Sequence, residues 1–210
     1  MSTVGDFGLD VSRETYERLS VYEGLLKKWN PVINLVSKSS ISELRIRHFI
    51  DSTQVFSLMP EAAKTWVDIG SGGGFPGMVC AIICAEKSPE TVFHLVESDL
   101  RKATFLRSVA RETGVTVQVH SERIEKMEAF NADVLSARAL ASLDKLLEFS
   151  APHLNENGVA LFPKGENYKS ELAEAQKSWR FDCVEHQSKT GSNSVVMRRA
   201  NIQRLLPYTT

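Results

Sequence analysis

Thr65-Trp66-Val67-Asp68-Ile69-Gly70-Ser71-Gly72-Gly73-Gly74-Phe75-Pro76-Gly77 reads as a buried strand that breaks into a glycine loop and opens a helix. Trp66, Val67 and Ile69 supply strand propensity, while the glycines permit backbone angles and a close ligand approach that side chains would block. Pro76 suits a first helical turn, where a missing N–H costs little. The segment from Met78 to Ala85 is apolar nearly all round, as in a helix packed on a sheet. A nucleotide-like ligand at that helix start is the first expectation.

Two ligand classes fit the loop. Gly72, Gly74 and Gly77 satisfy the GxGxxG pattern and Glu97 follows at dinucleotide-site spacing. Asp68, however, stands two residues before Gly70 and makes Asp-x-Gly-x-Gly, the pattern of S-adenosylmethionine (SAM) enzymes. An acid beside the loop attracts a sulfonium or amino group and has no counterpart beside a pyrophosphate. A glycine turn without a ligand would weaken the chain for no compensating reason.

The chain of 210 residues accommodates one α/β domain plus an appendage. No apolar run reaches the ~20 residues of a membrane span, and Met1 to Asp10 lacks the pattern of a secretion signal. A cytoplasmic protein without membrane contact is therefore expected, and a monomer is the default expectation, since the sequence carries no sign of oligomeric state. Cys80, Cys84 and Cys183 lack metal-ligand spacing and read as small hydrophobes, so no metal is expected. The net charge of −1 is neutral on nucleic acid, although Lys27, Lys28, Lys38, Arg45 and Arg47 cluster early and the stretch from Lys189 onward carries basic residues without acidic ones.

In chain order, Ser12 is a plausible N-cap for a helix with Tyr16, Leu19, Tyr22, Leu25, Leu26 and Trp29 on one face, interrupted or ended at Asn30-Pro31. A second helical segment runs over 42–58. Thr91 to Glu97 reads as a strand ending in an acid, placed to accept hydrogen bonds from ribose hydroxyls. A helix over 102–112 stops at Gly114, and strands follow at 115–119 and 132–137, the latter delivering Arg138 to the ligand end of the sheet. A helix over 142–154 precedes an Asn157-Gly158 turn, a strand over 159–163 and Lys164-Gly165. Residues 171–179 read as helical, and 180–185 with 194–198 as an antiparallel pair around a connection containing Gly191. The fold class expected is α/β: a Rossmann-like methyltransferase sheet over 65–210, closed by the strand pair, with a helical extension over 1–64. A dehydrogenase would need a second mononucleotide half.

The ordered set Lys28-Trp29-Asn30, Asn34-Leu35, Arg47-His48-Phe49-Ile50-Asp51-Ser52, the Asp68 to Gly77 loop, Val96-Glu97-Ser98, Lys102, Phe105-Leu106-Arg107, Ser136-Ala137-Arg138-Ala139 and Lys164-Gly165 resembles the RsmG (GidB) family of bacterial ribosomal RNA methyltransferases. The resemblance covers roughly 25–199. It implies transfer of the SAM methyl group to nitrogen 7 of a guanine in 16S rRNA of the small ribosomal subunit. It also implies SAM contacts at Gly70, Phe75, the adenine-facing pair Ile124-Glu125 and Arg138, with Glu97 as the ribose acid and Asp68 and Gly72 in the same cofactor loop.

The chemistry agrees with that substrate. No Pro-Pro-aromatic motif follows the fourth strand, as amino methylation would use, and neither relevant strand end carries a cysteine for ring-carbon methylation. Guanine N7 has an exposed lone pair and no proton, so neither general base nor nucleophile is required. Alignment of the reacting atoms can then supply catalysis. Arg138 and Lys164 are expected to orient the cofactor carboxylate, an RNA phosphate or guanine O6. Trp29, Asn34, His48 and Asp51 are candidates for packing the helical extension over the pocket.

Overall fold

A computed structural model describes residues 3–4, 7, 10–190 and 195–205. A short antiparallel ribbon of β1 (Thr3–Val4) and β2 (Asp10–Val11) leads into α1 (Arg13–Ile33), whose N-cap Ser12 accepts a hydrogen bond from the Thr15 N–H. Pro31 does not end α1. The helix runs one further turn to Ile33 and closes on Asn34 in the left-handed conformation, while the Asn30 side chain accepts from the Val36 N–H and ties down the exit. The second helical segment divides into a wide π turn, Arg45–Ile50, and α2 (Asp51–Phe56).

The sheet strands are β3 (Thr65–Ile69), β4 (Val92–Val96), β5 (Gln118–His120), β6 (Ala132–Ser136), β7 (Leu154–Lys164), β8 (Trp179–Gln187) and β9 (Val195–Arg204). Their order is β5-β4-β3-β6-β7-β9-β8. The first five are parallel, and β9 pairs antiparallel with both β7 and β8. Between them run α3 (Gly77–Lys87), α4 (Leu100–Thr113), α5 (Leu143–Ser150) and α6 (Tyr168–Ala175). The chain leaves β3 towards β4 on one side and β6 lies on the other, so a crevice opens at the carboxyl ends of β3 and β6.

The sequence reading and the structure differ at several boundaries. Only 118–120 of the segment from Val115 pairs as β5, because the Val115 N–H is taken by the Ala110 carbonyl at the end of α4. Asn157-Gly158 is no turn, since β7 runs through it with an irregular register against β6, and a Cβ at Gly158 would lie 2.6 Å from the Ala132 carbonyl oxygen. The helix after Ser142 ends early, at Ser150, and Trp179 opens a strand, its indole donating to Asp144. Gly191 and Ser194 lie outside the described residues.

Two cores flank the sheet. On one face Leu19, Tyr22 and Leu26 of α1 pack with Phe75, with Met78 and Ile82 of α3 and with Phe105 of α4. On the other, Val67, Ile69 and Leu135 meet Leu143, Leu146 and Leu147 of α5. The helices before the sheet are thus built into the main core. Gly77 to Cys84 are all buried, as the apolar pattern of α3 predicts.

Candidate active site

At the end of β3 the loop turns through left-handed conformations at Gly70 and Gly72, with φ of 63° and 54°, where a side chain would be strained. The Ser71 N–H bonds the Val96 carbonyl and the Tyr22 hydroxyl donates to the Gly73 carbonyl, so β4 and α1 both fix the loop. Glu97 fixes it from the ligand side. Its carboxylate accepts from the Gly72 N–H at 2.8 Å and the Asp99 N–H at 2.7 Å. A carboxylate offers about four acceptor positions, so two backbone donors leave room for a diol.

A cavity of about 860 Å³ opens over this loop, lined by Gly70, Gly72, Phe75, Glu97 and Arg138 together with His48 and Asp51 of the extension. Phe75 stacks on His48, with ring centroids 5.0 Å apart, and the Arg138 guanidinium lies 4.9 Å from the Phe75 ring centroid. Arg138 also donates to the Arg47 carbonyl, which joins the end of β6 to the π turn. Ile124 and Glu125 line a smaller recess of about 100 Å³ that shares Gly70, Ser98 and Leu140 with the main cavity. A third cavity, of about 820 Å³, contains Lys164 and shares Asp51, Arg138, Ala139 and Leu140. Ala139, on the shared wall, holds a left-handed φ of 53°, a strained geometry for a residue with a Cβ.

Asp68 is placed differently from the sequence expectation. It is fully buried and lines none of these cavities. One carboxylate oxygen accepts from the Ser136 hydroxyl at 2.5 Å, and Ser136 in turn accepts from the Trp66 indole. The other, Oδ2, has no hydrogen bond of good geometry among the described residues and lies against Gly77, where a Cβ would be only 2.7 Å away. Burial raises its pKa to about 6, opposed by the Ser136 and Ser71 hydroxyls, the nearby Gly77 N–H and the Arg138 charge. The physical reason is the close approach of α3 to β3, which puts the carboxylate beneath the helix start. Lys164 lies in the third cavity, where its ammonium bonds Glu171 and the Ala141 carbonyl.

Of the residues expected to pack over the pocket, His48 and Asp51 reach it. Trp29 instead packs on Phe105, and Asn34 caps α1. Ser40, Lys102 and Thr190 also line the cavity and were given no role by sequence reasoning. Lys102 stands in the family-like pattern, whereas Ser40 and Thr190 sit in polar stretches without a signal.

The donor set discriminates between ligands. A dinucleotide places its pyrophosphate at a helix N-terminus, but at α3 that position is faced by Asp68. A second anion there would meet a buried carboxylate. Glu97 and the glycine backbone instead suit the ribose of a nucleoside whose other end is cationic, and SAM is such a molecule.

The comparisons agree. The family model described as rRNA small subunit methyltransferase G (GidB) matches residues 15–200. Ribosomal RNA small subunit methyltransferase G of Ruegeria sp. (strain TM1040) is 56% identical over 201 residues, covering 96% of this chain and 98% of the relative. That of Ruegeria pomeroyi (strain ATCC 700808 / DSM 15171 / DSS-3) is 53% identical, with 94% and 96% covered. Among solved structures, M. jannaschii TYW2 in complex with AdoMet superposes with a TM-score of 0.55 at 15% identity, covering 81% of this chain and 78% of that one. The ribosomal protein L11 methylase of Lactobacillus delbrueckii subsp. bulgaricus gives a TM-score of 0.57 at 14% identity, with 79% and 80% covered, so these two share the fold. The chain belongs to the rRNA small subunit methyltransferase G (GidB) family.

Proposed function

We propose that this chain methylates nitrogen 7 of a guanine in 16S rRNA, using SAM, and that it does so as a monomer in the cytoplasm. The observation that carries the cofactor reading is the pairing of a diol-accepting Glu97 with a helix start already faced by Asp68. Glu97 would hold the ribose, with Gly70 and Gly72 beneath it, Ile124 and Glu125 beside the adenine, and Phe75 and Arg138 around the methionine end. Asp68 acts from behind the loop, setting its shape. SAM held there would supply an electrophilic methyl carbon for the N7 lone pair, with the sulfur keeping the electron pair of the broken C–S bond, a transfer that needs no proton to move.

The residues around the cavity suit a reaction without a base. His48 is the histidine on its wall among the described residues. Burial, with the Arg138 and Arg47 charges, lowers its pKa to about 3, so it is neutral and weakly basic. The cysteines lie in α3 and β8, away from the cavity. Arg138 and Lys164 are therefore positioning groups, worth what alignment is worth. Among the described residues no helix is long and apolar enough to cross a membrane.

Labelled SAM incubated with 16S rRNA and with small ribosomal subunits, followed by mapping of the modified base, tests the proposal. Label at guanine N7 supports it. Absence of label in both substrates, or tight NAD binding without SAM binding, overturns it.

A further inference from the structure

We propose that the third cavity is the seat of the target base, and that the Lys164–Glu171 ion pair reads its Watson–Crick edge. This rests on the RNA reading above. The cavity, of about 820 Å³, has room for a nucleotide and shares Asp51, Arg138, Ala139 and Leu140 with the cofactor cavity, so its occupant abuts the cofactor's. Lys164 reaches it from the end of β7 and Glu171 from α6, with Nζ 2.7 Å from Oε2.

Each partner has capacity left. Lys164 Nζ donates to Glu171 and to the Ala141 carbonyl, which uses two of its three protons. Glu171 Oε2 accepts from Lys164 and from the Leu143 N–H, while Oε1 makes no hydrogen bond among the described residues. The Lys164 side chain is 9% exposed and that of Glu171 30% exposed. The cation is thus held deep and the anion nearer the opening.

A donor beside an acceptor is the complement of guanine. Its edge presents the O6 acceptor, then the N1–H and N2–H₂ donors, which meet the ammonium and the carboxylate in that order. Adenine presents a donor and then an acceptor, so both contacts would be repulsive, and leaving buried polar groups unpaired penalises the wrong base heavily. Binding through this edge leaves N7 free for transfer.

The test substitutes inosine, which lacks only the 2-amino group, at the mapped target position of the substrate RNA. In the wild-type protein kcat/KM should fall about tenfold or more on inosine relative to guanine. Glu171→Gln should be slow on guanine, yet inosine should cost it little further, and its SAM affinity by calorimetry should match the wild type. A 6-thioguanosine at the same position should photo-crosslink within residues 163–171. An equal inosine penalty in both proteins, or a crosslink confined to other segments, overturns the base seat while leaving the methyltransferase reading intact. If the wild type methylates neither RNA nor subunits, the function reading falls and takes this one with it.

Discussion

At the residue scale, Glu97 and Asp68 show how two carboxylates near one loop take different work. Glu97 is clamped by the Gly72 and Asp99 N–H groups at the cavity wall, and Asp68 is sealed beneath Gly77. Glu97→Gln keeps one acceptor for the Gly72 N–H but loses the charge, and hydrogen bonds to charged groups are worth about 1.5–3 kcal/mol. SAM affinity should fall roughly 10- to 100-fold by calorimetry, and an unchanged affinity would remove the ribose role. His48 gives a pH signature. Its folded pKa of about 3 lies below the ordinary 6.5, so the unfolded chain takes up a proton first as pH drops. Its contribution to stability is full above pH 6.5 and is lost as pH falls from there towards 3. Asp68 works in the opposite sense: its pKa is raised to about 6 from 3.8, and it costs stability as pH rises through that window. The wild-type minus His48→Gln difference in Tm should shrink between pH 7.5 and 5. A constant difference would mean that the ring is not held neutral by its surroundings.

At the element scale, the parts of the fold legible in the sequence are those in which local preference and burial agree. The strand into the glycine loop, the all-apolar α3, Ser12 as an N-cap and Gly114 in the left-handed position each follow from the residue and its immediate neighbours. What escaped depends on distant partners. Asn157-Gly158 carries a turn signal, but β6 lies on one side of this stretch and Gly158 is there because the Ala132 carbonyl leaves no room for a Cβ. Likewise Asp68 sits at a strand end, and the sequence did not reveal whether it faced the crevice or the helix beneath. Gly158→Ala should destabilise the protein by about 1–3 kcal/mol, the usual cost of forcing atoms into a filled space. Denaturant midpoints should show the loss at unchanged slope, with SAM affinity of the folded fraction preserved. A neutral result would mean that the bulge relaxes without cost.

At the scale of the whole molecule, the extension before the sheet is both core and cavity wall. Leu19, Tyr22 and Leu26 pack against α3 and α4, Glu23 binds Arg45 at 2.7 Å and so anchors the π turn to α1, and that turn carries His48 against Phe75. A ligand in the cavity therefore touches the extension and the sheet together, and its binding energy is drawn on by both. With SAM at a hundred times its dissociation constant, the free energy of unfolding should rise by about 2.7 kcal/mol. The unfolding transition should stay single and shift as a unit, because the described residues of the extension share one core with β3, α3 and α4. Amide exchange across 45–56 should slow along with that of the glycine loop, since opening either releases the ligand. NAD at the same concentration should leave both transition and exchange unmoved, because its pyrophosphate has no seat at α3. If SAM protected the loop but left 45–56 exchanging as before, the extension would be a bystander, and the roles of His48 and Asp51 in the cavity wall would fall.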